Sequence, residues 1–295
     1  MSAKIGLIAG NGALPVLFAK HVKALGYSVF AIMHQQETDP ALSQYVEDEL
    51  SIPVGQFQKI IPYFKSKNVT QIVMAGGIPK THLFNTAFDQ QAQSIISTFK
   101  EKKDDTILRG FAAALEQENI TVAPLTYYMP SLLAEEGAMT RPITPQERDD
   151  IEWGWPMAKQ IGALDIGQTI VVRNGVLLAV EAIEGTDAAI RRGGILGQES
   201  AVVIKCLKPH QDIRFDLPTV GLQTIQTMIE VKASVLAIEA NVTLIPEKEL
   251  FLAEAKKADI AVVGWKDSSP LQGLTIPHKS ASREYEVPSP LGGEG

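Results

Sequence analysis

The sequence predicts an α/β protein: a Rossmann-like parallel-sheet N-terminal domain and a smaller mixed α/β C-terminal domain. Two patterns lead there. In the first half, apolar runs of strand length alternate with stretches of helical periodicity, and the first run ends in the turn Gly10-Asn11-Gly12. In the second half, two strand-like runs are joined by Asn174-Gly175, the dipeptide of a tight antiparallel hairpin. A chain of 295 residues accommodates two domains of ordinary size. The expected division is 1–137, a linker at 138–144 marked by the stretch Thr140-Arg141-Pro142-Ile143-Thr144-Pro145, a second domain at 145–265, and a tail at 266–295. The tail is rich in Ser, Pro, Gly and Lys and is expected to be disordered.

Composition narrows the function classes. The net charge of -7 disfavours a dedicated nucleic-acid binder, which would carry a basic excess. No apolar stretch approaches the ~18 residues that cross a bilayer, and Lys4 leads straight into a strand-like run, so neither a span nor a secretory leader is expected. The single cysteine, Cys206, ends the apolar run Ala201-Val202-Val203-Ile204-Lys205-Cys206 and reads as a small buried hydrophobe. It excludes an intrachain disulfide and suits a cytoplasmic protein.

Taken in order, Lys4–Ala9 reads as a buried parallel strand, Leu14–Leu25 as a helix that Gly26 stops, and Tyr27–Met33 as a second strand. The Gly10-Asn11-Gly12 turn therefore sits at a strand's carboxyl end, where helix N–H groups meet anions. A dinucleotide site is disfavoured there. Pro15 replaces the third glycine, and the second strand ends in His34-Gln35-Gln36 with no acid at its tip. A nucleotide or phosphate turn and a purely structural turn both remain open. Ser51–Gly55 reads as a strand, Gln58–Lys67 as a helix and Gln71–Ala75 as a strand ending in Gly76-Gly77-Ile78-Pro79-Lys80. That second glycine pair predicts two loops facing one crevice, with Lys80 available to a phosphate. Helices over Asp89–Lys100 and Thr106–Glu116 are joined through Asp104-Asp105, which read as helix-dipole caps or as crevice-facing acids, with Arg109 one turn on. A strand over Asn119–Pro124 closes this half.

Past the linker, Pro145–Ile161 is a predicted helix in which Trp153 and Trp155 suggest an interdomain wedge. Strands follow at Gln168–Arg173, Val176–Glu181 and Ala201–Lys205. Between the last two, Thr186 or Asp187 can cap a helix that Arg191 and Arg192 end. Glu184 and Asp187 bracket Gly185, and carboxylates beside arginines fit phosphoryl chemistry through a divalent metal as well as they fit a capped helix. The stretch Phe215-Asp216-Leu217-Pro218-Thr219-Val220-Gly221 holds an aspartate on a proline-fixed corner before a helix over Leu222–Lys232. Asp216 there reads as a cap, or as a group placed to bind metal or aim water. A strand at Ser234–Glu239, a helix at Pro246–Lys257 and a strand at Asp259–Val263 complete the pattern.

Ile8-Ala9-Gly10-Asn11-Gly12-x-Leu14-Pro15, Gly76-Gly77-Ile78-x-Lys80, Asp104-Asp105, Glu184-Gly185-Thr186-Asp187 and Asp216-x-Pro218-Thr219-Val220-Gly221 occur in one order over roughly residues 3 to 265. In this the chain resembles the bacterial UDP-2,3-diacylglucosamine pyrophosphatase family of the LpxI type. The resemblance implies a Mg2+-dependent hydrolase of lipid A biosynthesis that splits UDP-2,3-diacylglucosamine into UMP and 2,3-diacylglucosamine 1-phosphate (lipid X), with the substrate between the two domains. It places the catalytic aspartate at Asp216. Asp187 and Glu184 follow as further catalytic carboxylates, with Asp216 and Asp187 as metal ligands. Gly10, Asn11, Gly12, Gly76, Gly77, Lys80, Arg191, Arg192 and Thr219 are the expected substrate contacts. A cytoplasmic enzyme with a peripheral contact to the inner membrane, and a homo-oligomer, complete the expectation. The rivals are a non-catalytic UDP-sugar sensor and an NAD(P)-dependent oxidoreductase.

Overall fold

The computed structural model describes residues 2–78, 86–98, 104–209 and 211–266. Lys80 and the tail from residue 267 lie outside the described residues.

The first half alternates strand and helix: β1 (Lys4–Ala9), α1 (Leu14–Ala24), β2 (Ser28–His34), β3 (Asp48–Ile52), α2 (Ile60–Ser66), β4 (Gln71–Ala75), α3 (Gln90–Ser97), α4 (Asp104–Gln117) and β5 (Thr121–Ala123). All four strand pairings are parallel, in the order β3-β2-β1-β4-β5. The chain adds strands to one side of β1 and then returns to the other, so a crevice opens beyond the carboxyl ends of β1 and β4. Strand alternation divides the core into two clusters. Ile5, Leu7, Ala9, Val73 and Ala75 pack with α1 on one face. Phe30, Ile32, Ile52 and Ile72 pack with α2, α3 and α4 on the other.

The second half comprises β6 (Gly137–Ala138), α5 (Pro145–Ala163), β7 (Thr169–Arg173), β8 (Val176–Val180), α6 (Thr186–Gly197), β9 (Val202–Lys205), α7 (Leu222–Glu230), β10 (Val235–Glu239), α8 (Lys248–Lys257) and β11 (Ala261–Trp265). Its sheet runs β6-β11-β10-β9-β7-β8, parallel from β9 to β11 and antiparallel at both ends. Helices α6, α7 and α8 cover one face and α5 the other. The expected Asn174-Gly175 hairpin joins β7 to β8 with φ values of 50° and 70°, the left-handed pair that matches strand twist.

Several elements depart from the sequence reading. The third strand lies earlier than expected, because Pro53 ends it and Gly55 turns the chain with φ 91°. The expected linker is fastened to the second sheet: Gly137–Ala138 pairs with β11, and Val262 N donates to Thr140 Oγ1 at 2.7 Å. Trp155 is buried beneath that sheet among Ile170, Ile204 and Ala237, so it is core and not an interdomain wedge. Helix α6 continues past Arg191 and Arg192 because Gly193 and Gly194 let it pack closely on Val171 and Val231. Its cap is Gly185, with Thr186 and Asp187 already in the first turn and making no cap hydrogen bond.

Candidate active site

The crevice at the end of β1 and β4 is built by two loops that touch. Gly10 N donates to Ala75 O and Asn11 N donates to Gly77 O, both at 2.8 Å. Gly77 N in turn donates to Asn11 Oδ1 at 3.3 Å. A Cβ on Gly10 would strike the Gly77 carbonyl. One on Gly76, whose φ is 82°, would strike Asn11 O. The two glycine turns that the sequence placed on one crevice are therefore in contact, and glycine is demanded by that contact. The amino end of α1 opens here, with Ala13 and Leu14 lining the cleft and no side chain capping the helix.

The loop from β9 to α7 closes the crevice from the second half. Phe215 packs against the core cluster on one face of the first sheet and Leu217 against the cluster on the other. Asp216 lies between them, over the sheet's end. The loop is pinned by Leu244 N donating to Pro218 O at 2.8 Å and Val220 N donating to Leu244 O at 3.0 Å. Gln211 Nε2 donates to the Asp216 carboxylate, so the side chain is oriented as well as its backbone.

Asp216, Phe215, Gly76, Gly77 and Gln168 border two cavities at once. The first, about 500 Å³, takes in Asn11, Gly12, Lys205, Arg214, Thr219 and Glu247. The second, about 350 Å³, is lined mainly by apolar side chains, among them Phe57, Ile60, Phe88, Ile107, Leu108 and Phe111. His34 lines it too. Burial lowers the His34 pKa, against the raising effects of the Ala9 carbonyl and Glu37, which favours the neutral ring.

The other expected residues divide. Thr219 lines the cleft, and its carbonyl accepts from Lys205 Nζ at 2.9 Å. Asp187 accepts from Thr224 Oγ1 at 3.2 Å, within the field of Lys205. Asp187, Glu184, Arg191 and Arg192 do not line the cleft. Arg192 pairs with Glu184 at 2.6 Å, and Arg191 pairs with Glu230 at 2.9 Å, all on exposed surface. The 3.6-residue period of α6 turns these arginines away from the crevice. Asp104 and Asp105 open α4.

Three residues were not singled out by the sequence. Lys205 is buried at the end of β9, donating to Thr186 Oγ1 at 2.8 Å as well as to Thr219 O. A lysine inside an otherwise apolar strand was the available signal. Gln211 and Gln168 carried none, because each gains its meaning only from the loop beside it.

Comparison with known proteins identifies a family for both halves of the chain. Residues 4–132 match the LpxI N-terminal domain and residues 135–263 the LpxI C-terminal domain. A relative from Caulobacter vibrioides, UDP-2,3-diacylglucosamine pyrophosphatase LpxI, is 32% identical over 274 residues, covering 88% of this chain and 97% of its own. Among solved structures, the biotin carboxylase domain of Hydrogenobacter thermophilus 2-oxoglutarate carboxylase is 15% identical over 60% of this chain and 36% of its own, with a TM-score of 0.27. The biotin carboxylase subunit of pyruvate carboxylase is 15% identical over 62% and 39%, again at 0.27. With matches to both domains over nearly the whole described chain, the protein belongs to the LpxI family.

Proposed function

We propose that this chain hydrolyses the pyrophosphate bond of UDP-2,3-diacylglucosamine, giving UMP and 2,3-diacylglucosamine 1-phosphate in lipid A biosynthesis. A new P–O bond forms from water, the bridging P–O bond breaks, and the two phosphates part. The observation that supports this most is the position of Asp216. It lies where a cleft of nucleotide size, bordered by Asn11, Lys205 and Arg214, meets a more strongly apolar cavity, an arrangement that suits a substrate with a nucleotide at one end and acyl chains at the other.

In this reading the Gly10-Asn11-Gly12 and Gly76-Gly77 loops and the uncapped amino end of α1 take the nucleotide half through backbone N–H groups. The cavity beside Phe57, Ile107 and Phe111 takes acyl chain. Asp216, held by Gln211, orients the attacking water. The donor set fits Mg2+. Glu181, Asp187 and Asp216 face the single ammonium of Lys205, an excess of negative charge. Among the described residues no cluster of three metal-binding side chains occurs, and Mg2+ needs only one or two carboxylates when phosphate and water complete its shell. Asp216 and Asp187 would hold it, and the ion would neutralise phosphate charge and polarise water. The acyl chains draw the protein to the inner-membrane surface from the cytoplasm as a peripheral visitor. No helix among the described residues is long and apolar enough to cross a membrane.

The test is UMP release from purified UDP-2,3-diacylglucosamine, with and without Mg2+, by the native chain, Asp216→Ala and Asp216→Asn. Mg2+-dependent release that falls on the order of 10²-fold or more in folded, substrate-binding variants is expected. A native chain that binds the UDP-sugar and releases no UMP would be a sensor. Stabilisation by NAD(P)H and not by UMP would point to an oxidoreductase. Failure to associate with lipid vesicles would remove the membrane contact alone.

A further inference from the structure

We propose that Lys205 is a catalytic residue whose ammonium contacts a phosphate oxygen of the substrate from the floor of the cleft. The proposal rests on the pyrophosphatase reading and adds a residue to it. Lys205 is only 5% exposed, yet it lines the cleft together with Asp216 and Thr219. Two of its three N–H groups are engaged, by Thr186 Oγ1 at 2.8 Å and Thr219 O at 2.9 Å. The third is left for the cavity that Lys205 borders.

Its anchors are themselves fixed. Thr186 Oγ1 donates to Glu181 Oε1 at 2.9 Å, and Glu181 Oε2 accepts from Gln168 N at 3.3 Å. The ammonium is thus held by both the first turn of α6 and the loop carrying Asp216. Burying a lysine is unfavourable unless its charge is matched. Desolvation lowers its pKa, and Glu181, Asp187 and Asp216 work in the opposite direction to keep the proton. Here a fixed cation is sunk beneath a cavity. A preorganised donor aimed at developing phosphate charge, without reorganisation during reaction, is what electrostatic catalysis requires.

The same UMP-release assay tests it with Lys205→Met and Lys205→Ala, each checked for folding by circular dichroism and thermal melting. The expected result is a loss on the order of 10²-fold in kcat/KM, the scale for removing one preorganised donor. Propylamine, which supplies the carbons and amine that Lys205→Ala lacks, should restore part of that activity, and propanol should not. Folded variants that keep near-native kcat/KM, or rescue by propanol as effective as by propylamine, would overturn the role. If both variants fail to fold, Thr186→Val decides, because it keeps the ammonium and removes one anchor. A clear drop in kcat/KM with UMP binding retained supports the proposal, and native kcat/KM overturns it. No UMP release from the native chain is a different failure, that of the pyrophosphatase reading itself.

Discussion

Arg214 Nη1 lies 2.6 Å from Glu116 Oε1, tying the loop that carries Asp216 to α4 of the opposite half. The same guanidinium grips Asp212 at 2.8 Å and lies 5.5 Å from the centre of the Phe215 ring. One side chain therefore sets the loop's own shape and its seat on the first domain.

The Asp212 contact makes this arrangement pH-dependent. Burial would raise the Asp212 carboxyl, but the Arg214 hydrogen bonds outweigh it and hold the pKa below its ordinary value of 3.8. A depressed folded pKa stabilises above the unfolded value, and that stabilisation is lost as pH falls through the folded one. Arg214→Met should cost about 1–3 kcal/mol near neutral pH, because a half-buried carboxylate loses the guanidinium hydrogen bonds. The difference from the native chain in urea unfolding should shrink as the pH falls below about 4. Glu116→Gln removes an exposed partner and should cost less than about 1 kcal/mol. A pH-independent Arg214→Met difference would mean that lost packing, not the ion pair, dominates.

The glycine loops offer a contrast between two positions with the same φ of 82°. At Gly12 an added Cβ meets open space, so Gly12→Ala should cost only backbone strain, about 1–3 kcal/mol. At Gly76 the Cβ also strikes Asn11 O and crowds Pro15, so the two loops must part. Gly76→Ala should lower Tm further than Gly12→Ala and remove most UMP release. Equal effects of the two substitutions would show that loop contact is not what the site requires.

What could be read from sequence and what could not divide along one physical line. β1 and β4 were legible to the residue because short apolar runs bounded by glycine have one interpretation. So was the Asn174-Gly175 hairpin, whose turn demands those residues. The Asp216 corner stood out because proline and glycine mark a fixed backbone. Side-chain directions on α6 were not legible. Glu184, Arg191 and Arg192 looked like site groups because charges were close in sequence, but helical phase turns the two arginines outward, Arg191 onto Glu230 and Thr227 and Arg192 onto Glu184. β6 was missed for a related reason. Two residues, Gly137 and Ala138, carry no strand pattern, and their pairing with β11 comes from the 120-odd residues between them.

Asp150 is a structural counterpart to Asp216. It is 3% exposed on α5, and its carboxylate accepts from Asn174 N at 2.9 Å and Gly175 N at 2.7 Å. These bonds fix the β7–β8 turn from beneath. Asp150→Ala should cost about 1.5–3 kcal/mol, the range for hydrogen bonds to a charged group. Because neither Asp150 nor the turn lines the cleft, kcat should stay native at temperatures well below Tm. A fall in kcat with stability unchanged would tie this hairpin to the site by a route the contacts do not show.

The apolar cavity makes a prediction that separates the two ends of the substrate. Leu108 on α4 lines that cavity and not the cleft beside Asn11 and Lys205. Phe111, one turn on, stacks on Phe57 with ring centres 4.4 Å apart, so the wall behind Leu108 has little room to yield. Leu108→Trp should fill part of the roughly 350 Å³ without disturbing the glycine loops. If acyl chain lies there, KM for UDP-2,3-diacylglucosamine should rise by about 10-fold or more, the scale for steric mismatch in an apolar pocket. Inhibition by UMP, which occupies only the nucleotide side, should keep its native constant. Loss of UMP affinity in parallel with substrate affinity would mean that the substitution distorted the whole crevice. An unchanged KM would move the acyl chains to another surface and leave Asp216 bordering an apolar cavity of different purpose.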